Sequence, residues 1–170
     1  MKFSGAFLTA LVVGALCLFS ECSSSSRVGS NTEDVVISFS QTDTSMNKAI
    51  EVARASINQF NNALKNKPEA EMLSLKVHFD TPDGGGEHMW LSNIRLTDKG
   101  YFGVVANEAE FTQKVKLGDS LYINNNEISD WMYVEDGKLR GGYTIRVMRN
   151  NLKTEEEKQQ FDNDLGFIIE

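Results

Sequence analysis

Hydrophobic residues recur along the first part of the chain with the period of a helix. Between residues 44 and 67 they are separated by steps of four and three, which places them on one helical face. The residues on this face are Met46, Ile50, Ala53, Ile57, Phe60 and Leu64. Asp43, Thr44 or Ser45 can cap the start of the helix, and Pro68 follows its end. The pattern predicts one long amphipathic helix packed on a sheet.

After this helix the period changes to two, which is typical of strands. Leu73, Leu75, Val77 and Phe79 alternate with polar residues and predict a strand with one buried face. Further strands are predicted over residues 89–96, 101–106, 120–123, 127–134 and 138–140, and a β-branched run predicts another at 35–39. Turn-forming residues lie between most of these segments. Short strands joined by tight turns favour an antiparallel meander.

The C-terminal part of the pattern is less regular. Residues 143–149 fit either a strand or the start of a helix. Thr154 and Glu157 have the spacing of a capping box, which predicts a short helix that runs to about Asp162. The predicted fold class is therefore α+β, with an antiparallel sheet packed by one long amphipathic helix and one or two short helices. At 170 residues the chain predicts a single domain, placed at residues 34–170.

The N-terminal segment has the pattern of an export signal. Lys2 precedes an apolar stretch from Phe7 to Phe19, and a polar run follows at residues 20–26. The apolar stretch is shorter than the roughly 20 residues that a helix needs to cross a membrane. Residues 1–21 are therefore interpreted as a signal peptide. Residues 22–33 are rich in Ser, Asn and Thr and are interpreted as a flexible tether.

Cys22 gives two alternatives for the exported protein. Its place directly after the apolar stretch resembles that of the acceptor cysteine in a bacterial lipoprotein signal, and lipidation there predicts a membrane-anchored protein that faces the periplasm. Ordinary cleavage after Cys22, with Ser20 and Cys22 in the two recognition places, predicts a soluble periplasmic protein instead. Since Cys17 and Cys22 are the only cysteines, the body of the protein has no disulfide framework and no cysteine-ligated zinc.

The charge balance excludes one class of partner. The chain has 17 Lys and Arg against 24 Asp and Glu, a net charge of -7. A negative protein is repelled by phosphate backbones, so nucleic-acid binding is not expected. Hydrophobic residues at 41% and charged residues at 24% are typical of a globular protein rather than a disordered one.

Catalytic motifs are sparse. His78 and His88 are the only histidines, and they form no HxH, HExxH or HxxxH spacing. His88 with Asp130 and Glu127 is the candidate set for a general base or a bound cation, with Glu87 and Asp83 as further carboxylates nearby. The structural alternative is a buried His88 that is hydrogen-bonded to Asp130 or to backbone between two tryptophans, with His78 exposed.

Other motifs point away from catalysis. Gly-x-Ser-x-Gly is absent, and neither Gly84–Gly86 nor Gly141–Gly142 has the spacing of a phosphate loop. Loop flexibility accounts for the first glycine run, and close packing against an aromatic side chain such as Trp131 accounts for the second. No metal site and no cofactor are predicted.

A set of aromatic and charged residues forms either a structural node or a surface that grips a ligand: Trp90, Trp131, Tyr133, Tyr143, Asp130 and Arg146. Asp130 and Arg146 are expected to form a partly buried ion pair between strands. Exposure of the indole rings separates the two interpretations, because a node requires that both rings are covered.

Three segments carry a resemblance to a known family: Glu87–Leu91, Ile128–Tyr133 and Gly141–Arg146. In this order they are similar to the signature of bacterial proteins grouped as domain of unknown function 2314, the YegJ-like proteins. The preceding helix and the Asn107-Glu108 and Leu117–Asp119 turns also resemble the family, so that the resemblance covers about residues 49–161. It implies a shared fold and no assigned reaction, and some similar proteins look like exported lipoproteins.

These observations favour a small exported binding or interaction module of the bacterial envelope without catalysis of its own. Its expected partners are the membrane, if Cys22 is lipidated, and a protein or small molecule that the sequence does not identify. The alternative is a hydrolase or metal-dependent enzyme that uses His88 with Asp130 and Glu127. A structural or stress-related envelope protein is a third interpretation.

Overall fold

Four α-helices, one short 3-10 helix and six strands are found in the residues that the computed structural model describes, 44–67 and 69–170. In chain order the α-helices and strands are α1 Thr44–Ala55, α2 Ile57–Asn66, β1 Glu71–Asp80, β2 Gly86–Thr97, β3 Gly100–Val105, β4 Ser120–Ile123, β5 Ile128–Glu135, β6 Lys138–Gly141, α3 Tyr143–Asn150 and α4 Glu155–Leu165. The predicted signal peptide, the tether, Cys22 and the strand at 35–39 lie outside the described residues. The α+β class is confirmed.

The six strands form one antiparallel sheet in the order β4-β3-β2-β1-β5-β6. The first four strands are a meander, as predicted. The chain then returns from β4, at one edge of the sheet, to pair β5 with the free side of β1. The Asp136-Gly137 turn, in which both residues have positive φ, closes the predicted β5–β6 hairpin.

The connection from β4 to β5 requires a curved sheet. Only residues 124–127 join Ile123 to Ile128, although β3, β2 and β1 lie between the two strands. From Ile123 to Ile128 there are five residue-to-residue steps, which a fully extended chain covers in at most about 18 Å. In a flat sheet, two strands that are four places apart are about 19 Å apart. Met72 and Asn93, with φ of 53° and 52°, lie where the register shifts in β1 and β2. Bulges of this kind bend strands.

The predicted long helix is two helices, α1 and α2, interrupted at Ser56. In an unbroken helix the carbonyl of Ala53 would accept the N–H of Ile57. Here the indole Nε1 of Trp131 donates to that carbonyl at 2.9 Å. The Ser56 hydroxyl donates to the carbonyl of Val52 at 2.7 Å, which is a local alternative to the helical ladder. The interruption therefore comes from a contact with β5.

Both faces of the sheet are covered at least in part. On one face, Phe60 of α2 packs against Tyr101 and Trp131, with ring centroids 6.4 and 6.0 Å apart. A second cluster contains Met132, Val134, Leu139, Ile145 and Phe167, with Trp90 and residues of α4 packed against it. Residues 143–150, which the sequence left open, form a helix. The predicted capping box of Thr154 and Glu157 is present, and α4 ends at Leu165.

Gly141 offers a direct test of the predicted packing against Trp131. Its φ is +70°, and a Cβ atom there would overlap the carbonyl oxygen and the indole ring of Trp131. Gly141→Ala is expected to lower the free energy of unfolding by about 3 kcal/mol, since it combines backbone strain with a steric clash. Urea denaturation measures this loss.

Gly137 is the matched control, because its φ is +71° and nothing lies within 4 Å of an added Cβ. Gly137→Ala is expected to cost only about 1 kcal/mol, the penalty for a left-handed alanine. Equal losses for the two variants would contradict the packing explanation.

Candidate functional site

The central polar residue of the described domain is Asp130, whose side chain is fully buried. One carboxylate oxygen accepts the backbone N–H groups of Trp131 at 2.8 Å and Tyr143 at 3.1 Å. The other accepts the backbone N–H and the hydroxyl of Thr144, both at 2.7 Å. Tyr143 and Thr144 are the first two residues of α3, so Asp130 caps that helix from a different strand.

This remote cap replaces a local one. The residue before α3 is Gly142, which has a left-handed backbone with φ of 61° and no side chain to accept a hydrogen bond. The first N–H groups of a helix have no partner within the helix, and a buried N–H without a partner is costly. Asp130 satisfies two of these groups, so its main task is structural.

Lys76 lies opposite Asp130 in the pairing of β1 and β5. Its ammonium group is 3.3 Å from the Thr144 hydroxyl and 5.4 Å from the centre of the Trp90 ring. The pKa of Asp130 is raised overall, because the effect of burial outweighs the hydrogen bonds from Thr144 and Trp131 and the charge of Lys76, all of which lower it. Burial lowers the pKa of Lys76, and Asp130 opposes that shift. The pair therefore supports the packing of α3 and Trp90 on the sheet.

A bulge determines which residues meet His88. Lys76 pairs with Asp130 and Val77 with Ile128, so Ser129 is an extra residue in β5. The Ser129 hydroxyl donates to the Lys76 carbonyl at 3.1 Å and lies 2.8 Å from Nδ1 of His88. Since the hydroxyl proton is used by that carbonyl, we assign the Nδ1 proton of His88 as the donor to Ser129.

His88 and His78 are direct partners across β1 and β2, with ring centroids 5.0 Å apart. His78 is half-buried rather than exposed as expected. His88 is exposed, and its hydrogen bond goes to Ser129, so the predicted burial between two tryptophans with a bond to Asp130 is wrong. Although part of the residue is exposed, burial of its imidazole lowers the pKa of His88 to about 4, and repulsion from Lys76, His78 and Arg54 adds to the shift.

The candidate set of His88, Asp130 and Glu127 is not assembled. Glu127 accepts the backbone N–H of Asn124 at 2.6 Å within a capping box on the short 3-10 helix Asn125–Glu127. The Asp130 oxygens are occupied by the N-terminus of α3. Across residues 44–67 and 69–170, no three His, Cys, Asp or Glu side chains are grouped so that they could hold a metal ion.

The predicted aromatic set separates into two parts. Trp131 is 1% exposed, stacks on Tyr133 at 6.1 Å and meets the edge of Tyr143 at 5.7 Å. The Tyr143 hydroxyl lies 3.0 Å from the Ser56 hydroxyl and donates to it, since the Ser56 proton goes to Val52. With the bond from Trp131 to Ala53, these aromatic residues connect α1, β5 and α3. Trp90 is half-buried and packs with the second cluster. The Trp131 indole is therefore part of a structural node, whereas the Trp90 indole is partly exposed.

The predicted ion pair between Asp130 and Arg146 is wrong. The Arg146 guanidinium donates to the carbonyls of Leu139 and Gly141, both at 3.0 Å, and to the carbonyl of Glu170. Arg146 thus ties α3 to the end of β6 and to the C-terminus. Residues 143–150 form a helix rather than a strand paired with β5, so Arg146 is not a cross-strand partner of Asp130.

The sequence interpretation missed the role of Glu87. Its carboxylate accepts three consecutive backbone N–H groups, those of Glu110, Phe111 and Thr112, at 2.8, 2.9 and 2.7 Å. Glu87 therefore holds the segment 106–119, which contains no helix or strand. The one signal available in the sequence was the length of this segment, because long irregular loops in compact domains are uncommon and are often functional.

The chain belongs to a bacterial protein family. The model of the family described as "Uncharacterized protein conserved in bacteria (DUF2314)" matches residues 43–168. This match contains α1 to α4 and every strand of the sheet. The resemblance carried by the segments around Trp90, Trp131 and Tyr143 is thereby confirmed.

Two individual proteins are similar in sequence to the chain. It is 31% identical to the Uncharacterized protein YegJ of Escherichia coli (strain K12) over 116 residues, which are 68% of this chain and 74% of YegJ. It is 33% identical over 142 residues to a putative ankyrin repeat protein of Neisseria meningitidis serogroup B, which are 79% of this chain and 56% of that protein. The chain thus spans little more than half of the second relative. No solved structure matches the chain significantly.

The described helices are also informative about membranes. Within residues 44–67 and 69–170, none of them is both long enough and apolar enough to cross a bilayer.

The role of Asp130 predicts a large effect for a small change. Asp130→Asn puts an NH₂ group against backbone donors at the start of α3, so we expect a loss of about 3 kcal/mol in the free energy of unfolding. Hydrogen exchange at the amides of Tyr143 and Thr144 should accelerate more than exchange in α4. Asp162→Asn is the control, because Asp162 pairs with Arg149 where both side chains are 24% exposed, and the substitution should cost about 1 kcal/mol or less. Unchanged protection of the α3 amides would contradict the capping role.

The lowered pKa of His88 predicts a pH dependence. Because its pKa falls from 6.5 to about 4 in the folded state, protonation favours unfolding. The corresponding stability is present above pH 6.5 and is lost as the pH falls towards 4. Proton NMR titration should place the His88 midpoint near 4, and Lys76→Met should raise it. His88→Gln should flatten the stability profile in this range, whereas Ser129→Ala, which keeps the imidazole, should not. A midpoint at 6.5 in the wild type would refute the shift.

Proposed function

We propose that this protein is a small exported binding module of the bacterial envelope, anchored to a membrane through lipid on Cys22 and facing the periplasm. It acts by binding a protein or small molecule and not by catalysis. The lipid is carried by Cys22 at the N-terminal end of the Ser-rich segment 22–33, and the α+β domain is the binding part.

The observation that carries the export and anchoring is the position of Cys22. It comes three residues after the end of the apolar stretch Phe7–Phe19 and precedes four serines in a row, Ser23–Ser26. An apolar stretch of this length suits a signal peptide better than a membrane-spanning helix. A single lipid chain gives only marginal membrane binding, and a diacylglyceryl group provides the second chain that stable attachment needs.

The hydrogen bonds of the candidate acids support a binding role over a catalytic one. Asp130 is engaged by the start of α3, Glu127 by Asn124, and Glu87 by three backbone N–H groups. A general base needs a carboxylate or imidazole within hydrogen-bond reach of a substrate proton. The oxygens of these three carboxylates instead accept hydrogen bonds from backbone N–H groups, and these bonds stabilise the fold. No observation on the described residues favours the enzyme alternative.

Substitution of each cysteine tests the anchor. Cys22→Ala should abolish incorporation of radiolabelled fatty acid and move the protein from the membrane fraction to a soluble fraction or leave it unprocessed. Cys17→Ala is the matched control, because Cys17 lies within the predicted signal peptide and should leave labelling unchanged. Mass spectrometry of the mature N-terminus decides between lipidated Cys22 and a free terminus at Ser23. A free Ser23 terminus would disprove the lipid anchor and retain export.

A further inference from the structure

The segment 106–119, which we call the Glu87 loop, joins β3 to β4 without helix or strand and is nevertheless fixed at both ends and in the middle. In the middle, three N–H groups bind Glu87. The hydroxyl of Thr112 donates to the carbonyl of Asp80 at 2.8 Å. Near the end, Gly118 donates to the carbonyl of Val105 at 2.9 Å, and the carbonyl of Asp119 accepts the N–H of Val105 at 2.9 Å.

Glu87 supplies these bonds as a charged group. Burial alone would raise the pKa of Glu87, but the hydrogen bonds from Glu110, Thr112 and Phe111 lower it overall. Hydrogen bonds to an ionised acceptor are stronger than neutral ones. The loop is therefore ordered before any partner binds, so binding does not include the loss of conformational entropy that ordering the loop would bring.

Phe111 lies in the middle of the loop with 57% of its surface exposed. Its backbone N–H is fixed by Glu87, and its neighbour Thr112 is buried. Phenylalanine is among the residue types that are most often buried, and a large aromatic ring is frequently an anchor at protein interfaces. The partly buried carboxylate of Glu87 thus holds the backbone beneath an exposed aromatic ring through three hydrogen bonds.

The surroundings of Phe111 are acidic. The Glu87 loop and the adjoining segment 80–87 contain six acidic and two basic residues, a net charge of -4 out of -7 for the chain. The acidic residues are Asp80, Asp83, Glu87, Glu108, Glu110 and Asp119, and the basic ones are Lys114 and Lys116. The two segments meet at a groove of about 310 Å³ lined by Asp80, Thr81, Pro82, Gln113 and Lys114. Because Thr112 donates to the carbonyl of Asp80, which lines the groove, the neighbouring Phe111 lies at the same end of the sheet as the groove.

We infer that the Glu87 loop is a docking surface for a basic protein segment, in which apolar side chains of the partner pack on Phe111 and flanking lysines or arginines face Glu108, Glu110 and Asp80. Opposite charge around an aromatic anchor gives orientation and a faster encounter, while the anchor supplies most of the affinity. An anionic membrane surface has the wrong charge for this end of the sheet. The inference names the partner class for the proposed binding role, and it does not depend on the lipid anchor.

Peptide binding to the mature full-length chain tests this surface. The probe is a fluorescent peptide with a central Leu-Ile-Val segment and lysines at both ends, and its counterpart carries glutamates in place of the lysines. Fluorescence anisotropy should detect binding of the lysine peptide with a Kd below about 1 mM and a marked dependence on salt. Phe111→Ser should weaken binding by about tenfold or more. Glu108→Gln/Glu110→Gln should weaken it several-fold and reduce the salt dependence.

Two control variants separate this surface from a general effect of charge or hydrophobicity. Tyr122→Ser removes an aromatic side chain on β4 that is 64% exposed, and it should change the affinity by less than about twofold. The double variant Glu51→Gln/Glu156→Gln removes two negative charges, as many as Glu108→Gln/Glu110→Gln, but from exposed positions on α1 and α4. It should also have little effect on the affinity. Circular dichroism checks that each variant is folded.

Several outcomes would overturn the inference. These are equal weakening by Phe111→Ser and Tyr122→Ser, equal binding of the lysine and glutamate peptides, or no binding of the lysine peptide up to about 1 mM. Phe111-dependent binding to phosphatidylglycerol vesicles would assign the loop to a membrane instead. Failure of lipidation at Cys22 leaves these results unchanged, so the two proposals fail independently.

Discussion

The structure depends on a buried carboxylate that holds the start of a helix. Asp130 lies on β5, and its oxygens bind the first two N–H groups of α3. The next residue, Trp131, donates its backbone N–H to the same carboxylate and its indole N–H to the carbonyl of Ala53 in α1. Asp130 and Trp131, which are adjacent on β5, therefore fix α3 and α1 to the sheet. Removing a charge from water is expensive unless hydrogen bonds compensate, and four of them do so here.

Much of the fold was predictable from the sequence because it depends on local pattern. The alternation around Val77, the Asp136-Gly137 turn and the Thr154 capping box each correspond to an element of the structure. The break at Ser56 was not predictable, because its cause is Trp131, 75 residues further along the chain. The helical periodicity still identified the buried face, since Ala53 and Phe60 are completely covered.

The candidate site was predictable only in part. Asp130, Trp131 and Tyr143 do lie around one node. Asp130, however, binds backbone N–H groups where an arginine was expected, and Arg146 donates to the carbonyls of Leu139, Gly141 and Glu170 instead. A residue that caps a helix from a distant strand leaves no local motif. His88 illustrates the same limit, because the bulge at Ser129 changes which side chain of β5 reaches it. Strand periodicity alone cannot locate such a bulge.

The two edges of the sheet are unequal. Beside β6, Ile168 exchanges backbone hydrogen bonds with Leu139 and Gly137, so the C-terminal segment covers that edge. At the other edge, β4 has no neighbouring strand among the described residues and is only Ser120–Ile123 long. A strand edge invites pairing with another molecule in proportion to the backbone it presents, and short edge strands limit such pairing. The brevity of β4 thus protects the protein against self-association into extended sheets.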